Sequence, residues 1–205
     1  MVATGSSIVD LGFVTARVPV GAHVCQVYLE DDERDESITK FLLCGLKDNE
    51  ATAFFSDRLS PSMLRTRLEL QGLSLEQELN SRRLFHSGAE AMYFEGQRFD
   101  PERMLRMLAE FHSRSVADHR AGARIIGEMS PRIGQIEGGT RLLEYESRVN
   151  CVLRGHPLTV VCQYNAHAFD GATIMDVMTV HPLLVVRGCV VQNPFYVPPE
   201  EYLRS

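Results

Sequence analysis

Four short apolar runs recur along the chain with helical patterns between them: HVCQVYL at 23–29, ATAFFS at 51–56, ARIIGEM at 123–129 and LTVVCQYN at 158–165. Apolar residues fill consecutive positions in these runs. A strand of that kind has no solvent face, so it must be covered from both sides. This demand leaves few architectures open. Strands that alternate with helices and are covered on both faces build an α/β fold with a mostly parallel central sheet flanked by helices. A shorter run, RRLFHSG at 82–88, supplies one more strand. PLLVVRGCVVQNP at 182–194 reads as a C-terminal antiparallel hairpin turning at Arg187-Gly188.

The spacing predicts helices over about 35–47, from Pro61 to about Gly72, from Pro101 to about His119, from Thr140 to about Leu153, and from Asp170 to about Thr179. Ile38, Phe41, Leu42 and Leu46 share one helical face, as do Met104, Leu105, Leu108 and Phe111. Ser60-Pro61 and Asp100-Pro101 are helix starts, and Asp170 is an N-cap. Residues 1–20 read as a loose N-terminal arm or an edge element, and 21–205 as one α/β domain. The closing NPFYVPPEEYL is expected to pack across that domain, because its prolines fix an extended path.

The 205 residues carry 21 Lys and Arg against 27 Asp and Glu, a net charge of -6. The basic residues are scattered, so no direct nucleic-acid partner is expected. No run approaches the roughly 18–20 apolar residues of a membrane span. The N-terminus lacks the pattern of a signal peptide. The expectation is a cytoplasmic protein. The five cysteines, odd in number and without a CxxC pair, fit a reducing compartment.

In an open α/β sheet, ligands bind beyond the C-terminal ends of the strands. A nucleotide-binding version would carry GxxxxGK and a hydroxyl residue after its first strand, to cradle phosphate. Here that place holds LEDDERDESITK, with no glycine and the acids Glu30, Asp31, Asp32, Glu33, Asp35 and Glu36. Phosphate is repelled by such a run. The run itself reads as a solvated loop and a helix N-terminus. GxGxxG, GxSxG and HExxH are absent, so no catalytic motif is legible. The strand ends offer Tyr28, Glu128, Met129, Gln163 and Tyr164 as pocket walls, with Phe169 just beyond the last strand. Glu128 is either the polar anchor of that pocket or a structural carboxylate accepting backbone amides. Glu144 and Arg148, at i and i+4, read as an exposed helix pair.

His23 and Cys25 share a face of the first strand. With Cys162, or His181 from a neighbouring element, they make a candidate metal site, since zinc takes three or four such ligands. The competing reading is packing, in which a buried cysteine behaves as a small hydrophobe.

HVCQVY, FDPERML, GEMS, LLEYESRVN, CQYNAHAFDG and HPLLVVRGCVVQNPFYVPPEEYL occur in this order. The ordered set resembles the MEDS family, the methanogen and methylotroph sensory domains, over about residues 20–203. The resemblance implies a RecA/KaiC-like core, a degenerate P-loop fold without its Walker A loop. It also implies a non-enzymatic sensory role toward small hydrocarbon derivatives. It maps the family's recurring positions onto His23, Cys25, Tyr28, Glu128, Glu144, Cys162, Gln163, Tyr164, Phe169, His181 and Pro182. Family members are often fused to histidine kinases, DNA-binding domains or STAS-type modules. At 205 residues, the chain is expected to carry no such effector. The expectation is therefore a small-molecule ligand at the strand ends and a signal passed to a separate partner, or through a homo-oligomer. That partner would be a kinase, a transcription regulator or an anti-sigma type module. Alternatives are a metal or redox sensor built on His23, Cys25 and Cys162, and a degenerate nucleotide-binding protein or assembly scaffold. No pattern in the chain identifies a cofactor.

Overall fold

The computed structural model describes residues 8–204. Its N-terminal half runs β1 (Ile8–Asp10), β2 (Arg17–Pro19), β3 (His23–Tyr28), α1 (Asp31–Lys47), β4 (Ala51–Phe55), α2 (Pro61–Glu69), α3 (Leu75–Asn80) and β5 (Leu84–Ser87). Then come α4 (Ala89–Tyr93), β6 (Phe94–Glu95), β7 (Arg98–Phe99), α5 (Pro101–Ala117), β8 (Ala123–Glu128) and two 3-10 turns, Pro131–Gln135 and Gly139–Arg141. The chain continues with α6 (Leu142–Gly155), β9 (Thr159–Asn165), α7 (Gly171–Thr179), β10 (Leu183–Val186), β11 (Cys189–Gln192) and α8 (Pro199–Tyr202).

The central sheet has seven strands in the order β11-β10-β3-β9-β8-β4-β5. Every pairing in it is parallel except the terminal β10-β11 hairpin. This is the architecture demanded by two-faced apolar strands. On one face, Val24, Phe54, Ile126 and Val161 pack with Ile38, Phe41 and Leu42 of α1 and with Leu64 and Leu68 of α2. On the other, Cys25, Phe55, Ile125 and Val160 pack with Met104 and Leu108 of α5 and with Tyr145 and Val149 of α6.

Three expectations change. The lead-in, of which residues 1–7 lie outside the described residues, is no loose arm from Ile8 onward. β1 and β2 pair as a hairpin, and Val9, Leu11 and Val18 are buried against α1. Gly12 turns that hairpin at φ +79°, and a Cβ there would meet the Lys40 carbonyl oxygen at 2.5 Å. Helix α1 starts at Asp31, earlier than apolar spacing suggests, because Asp31, Asp32 and Glu33 suit the positive end of the helix dipole. Thr140 sits inside a 3-10 turn and does not cap α6. The tail does pack across the domain: the Val197 N–H donates to the Thr179 carbonyl at 2.8 Å, and Asn193 is buried. No helix among the described residues is long and apolar enough to cross a membrane.

One charged pair lies deep in the α1 layer. Arg124 of β8 is fully buried. It donates from Nε to Glu50, and from Nη1 to the carbonyls of Asp10 at 2.9 Å and Phe41 at 3.2 Å. Its guanidinium lies 5.0 Å from the Phe41 ring centroid. Gly45 makes room for it, since a Cβ there would lie 2.6 Å from Arg124 Cδ. Removing one partner of such a pair leaves an uncompensated buried charge. Glu50→Ala is expected to lower the unfolding free energy by about 3–5 kcal/mol, measured by urea denaturation. A loss under about 1 kcal/mol would mean that the pair is solvated.

Candidate functional site

β3, β9 and β8 lie side by side, with Cys25 opposite Cys162, Gln26 opposite Gln163, and Gln163 opposite Glu128. Register partners in a sheet share a face, and the faces alternate along each strand. The expected site residues are thereby divided. Tyr28, Gln163 and Glu128 face α1. Tyr164, Cys162 and Cys25 face α6.

On the α1 face, Glu128 is the hub. The Tyr28 hydroxyl donates to Oε1 at 2.6 Å, and the Ser56 hydroxyl to Oε2 at 2.7 Å. Arg34 and Arg58 place nitrogens 3.7 and 3.5 Å from Oε1. Arg34 is itself buried and donates to Asp35 at 2.7 Å and Asp31 at 2.6 Å. Behind them, Gln163 donates to Gln26 at 2.9 Å, and Gln26 to Ser37 at 2.8 Å. Where a phosphate loop would cradle its anion, this chain closes its own acids onto its own arginines. Asp35 is buried in that network, so the acidic run is more than a solvated loop.

On the α6 face, the hub is Glu146, which has no solvent exposure. The Tyr164 hydroxyl donates to its Oε1 at 2.5 Å. Its Oε2 lies 3.3 Å from His23 Nε2, 3.5 Å from His181 Nε2 and 3.5 Å from Cys162 Sγ. His23 Nε2 is 3.4 Å from Cys162 Sγ. Four potential ligand atoms thus lie within 4.8 Å of one another. Burial and the neighbouring His181 lower the His23 pKa to about 4. Burial pushes the Cys162 thiol well above its ordinary value. Of the expected candidates, His23, Cys162 and the alternative His181 are brought together. Cys25 is beside Cys162 in the apolar layer but contributes no atom to the group. Glu146, from α6, joins the other three in its place.

The strand-end residues do not converge on one pocket. Tyr28, Gln163, Tyr164 and Met129 are buried within the two layers. Phe169 reaches a cleft of about 270 Å³ between the 3-10 turns and the start of α7, lined also by Ile133, Leu143, Thr173 and Asp176. Its ring centroid is 5.4 Å from that of Tyr164. Glu144 and Arg148 form the expected helix pair at 2.9 Å, though half-buried rather than exposed, and Arg141 and Glu102 join it.

The sheet order and its two helical layers define a KaiC-like α/β domain. A KaiC-like protein PH0186 from the hyperthermophilic archaeon Pyrococcus horikoshii OT3 is similar with a TM-score of 0.62 at 12% identity, over 88% of this chain and 80% of that one. The flagellar accessory protein FlaH from Methanocaldococcus jannaschii is similar with a TM-score of 0.59 at 12% identity, over 91% of this chain and 84% of that one. No curated protein matches the chain. The family model of MEDS, the methanogen/methylotroph, DcmR sensory domain, matches residues 22–182. The chain belongs to the MEDS family, a family of sensory domains. The matched span contains both hubs.

The Tyr28–Glu128 bond has a measurable pH signature. Burial and the Glu128 carboxylate hold the Tyr28 phenol above its ordinary value. Below the unfolded value near about 10, both states keep the proton and the contact's stability is fully present. Above it only the unfolded chain releases the proton, so stability falls as pH rises. Tyr28→Phe is expected to cost about 1.5–3 kcal/mol at pH 7 and to flatten the alkaline side of the stability profile. An unchanged profile would show that Tyr28 is not the titrating group.

Proposed function

We propose that this chain is a non-enzymatic sensory domain that binds a small, weakly polar ligand in the Phe169 cleft and signals to a separate partner protein. The observation that carries this reading is the position of Phe169. It stands beyond the end of β9, where open α/β sheets take their ligands. Its ring packs on Tyr164, whose hydroxyl holds Glu146. A molecule pressing on Phe169 therefore acts on a side chain tied to the α6 hub. Helix α7 makes a second link: Thr173 and Asp176 line the cleft, and the carbonyl of Val177 accepts from His181.

The cleft, at about 270 Å³, is smaller than the roughly 300–1,000 Å³ that drug-sized molecules occupy. A ligand of a few heavy atoms fits it, in keeping with a family named for organisms that live on one-carbon compounds. The closed network around Glu128 supports the same choice, since nucleotide phosphates would have to break it. Any change of state must come from a difference in affinity between two conformations. Here the element that shifts is α7 with the loop before it, and the surface it presents is the signal.

Methanol, methylamine, dichloromethane and 2-propanol are the probes. At a hundred times its dissociation constant, a specific ligand stabilises by about 2.7 kcal/mol, or roughly 5–10 °C in melting temperature for a domain of this size. The expected result is a saturable shift with at least one probe, lost in Phe169→Ala. A flat response to all four, or a shift that persists in the variant, would overturn the reading.

A further inference from the structure

We infer that His23, Glu146, Cys162 and His181 form a closed, four-ligand site for a divalent transition metal of the zinc type. The distances carry this first. Ligands about 2.0–2.3 Å from a tetrahedral zinc lie about 3.3–3.8 Å from one another. Four of the six separations within the group are 3.3, 3.4, 3.5 and 3.5 Å, and all six lie within 4.8 Å. The two nitrogen–oxygen separations, 3.3 Å from His23 and 3.5 Å from His181 to Glu146, exceed the roughly 2.7–3.2 Å of good hydrogen bonds.

The hydrogen-bond partners on the far side of each ring carry it further. His181 Nδ1 lies 2.6 Å from the Val177 carbonyl, which only accepts, so Nδ1 bears the proton. His23 Nδ1 lies 3.2 Å from Asn150 Oδ1. The Asn150 amide is oriented by its own Nδ2, which donates to the carbonyls of Glu146, Ser147 and Val180. In the neutral rings both Nε2 atoms therefore aim lone pairs at a carboxylate, acceptor against acceptor. His181 Nε2 is buried and has no hydrogen-bond partner among the described residues. A cation at the centre turns that opposition into coordination. The Asn150, Val177 and Tyr164 contacts then become the outer bonds that orient metal ligands.

Charge fits as well. A divalent ion with one thiolate, one carboxylate and two neutral imidazoles sums to zero, the condition for full burial. Binding displaces one proton, from the Cys162 thiol. Two imidazole nitrogens, a thiolate and a carboxylate oxygen in four-fold array suit zinc over magnesium or calcium. All four positions come from the protein, so the site has no open position for a substrate. Access is short: His23 and Asn150 form part of the wall of a cleft of about 500 Å³ at the N-terminal end of β3.

Cobalt(II), with visible bands that report coordination number, is the probe. The full chain, dialysed against cobalt(II) and then against buffer, is expected to keep one ion. It should show the intense visible bands of four-coordinate cobalt and a near-ultraviolet thiolate charge-transfer band. Cys162→Ser loses the charge-transfer band, and Cys25→Ser keeps it. Tyr164→Phe keeps the spectrum and weakens binding by about 10–100-fold. Phe169→Ala leaves the spectrum unchanged, so this inference and the small-ligand reading fail separately. Wild-type protein that is folded yet retains neither cobalt nor zinc would overturn the proposal, and would leave a buried His181–Glu146 ion pair as the account. So would a charge-transfer band that survives Cys162→Ser.

Discussion

Residues 23–28 and 160–165 pair in register, and alternation along those two strands sends neighbouring polar groups to opposite faces of the sheet. Gln26 and Gln163 go one way with Tyr28. Cys25 and Cys162 go the other with Tyr164. Because helices cover both faces, neither set can reach bulk water, and each has to be satisfied by what the covering helices bring. Helix α1 brings Arg34, Asp35 and Ser37 to the first set. Helix α6 brings Glu146 and Asn150 to the second, and the turn after α7 adds His181. A one-residue slip of β3 against β9 would send β3's side chains to the opposite faces and part them from their partners on β9 and the covering helices.

The two hubs solve the problem of a buried carboxylate differently. Glu128 is near the rim of the sheet and takes two hydroxyls and two guanidiniums, and Asp31 and Asp35 pair with the same arginines. Those partners all come from the protein, although Gln163 Oε1 behind them is buried without a hydrogen-bond partner among the described residues. Glu146 lies at full depth, takes one hydroxyl, and otherwise meets two imidazoles and a thiol. A guanidinium brings a charge and five donors, whereas a neutral imidazole brings no charge, one donor and one acceptor. The asymmetry separates a carboxylate neutralised by arginines from one that meets only imidazoles, a thiol and a single hydroxyl.

The fold was largely legible because its signal is repeated. Consecutive apolar residues in HVCQVY, ATAFF, ARIIG and TVVC each demand two covered faces, and four such demands agree. The absence of a phosphate loop after β3 was equally plain, since glycine and lysine have no substitutes there. The cluster around Glu146 is only partly legible. Residue type singles out His23, Cys162 and His181, but it also suggests Cys25, which adds no atom to the group, and the strand-end residues divide between two faces. Glu146 is one of two acids in LLEYESRVN, and residue type alone does not single it out. A signal was present: it falls on the buried stripe of α6 with Leu142, Tyr145, Val149 and Leu153, where a charge needs a reason. The short helices α3 and α4 and the β6-β7 hairpin carry too few residues for any periodicity to show. The packing of the lead-in hairpin depends on α1, which no local pattern in residues 8–19 announces.

The strand order has a consequence for how the molecule comes to exist. β9, β8, β4 and β5 are neighbours in space, and all but β9 are drawn from the first two thirds of the chain. β3 precedes them all in sequence, yet it is held between β9 and β10. Its two edges therefore stay unpaired until residues 159–165 and 183–186 have been made. Contacts this distant along the chain slow folding, and a bare apolar strand that waits is prone to association. The earliest strand of the sheet is thus among the last to find its place. The cluster around Glu146 can close only with that final insertion, so on a ribosome it is a marker of completed assembly.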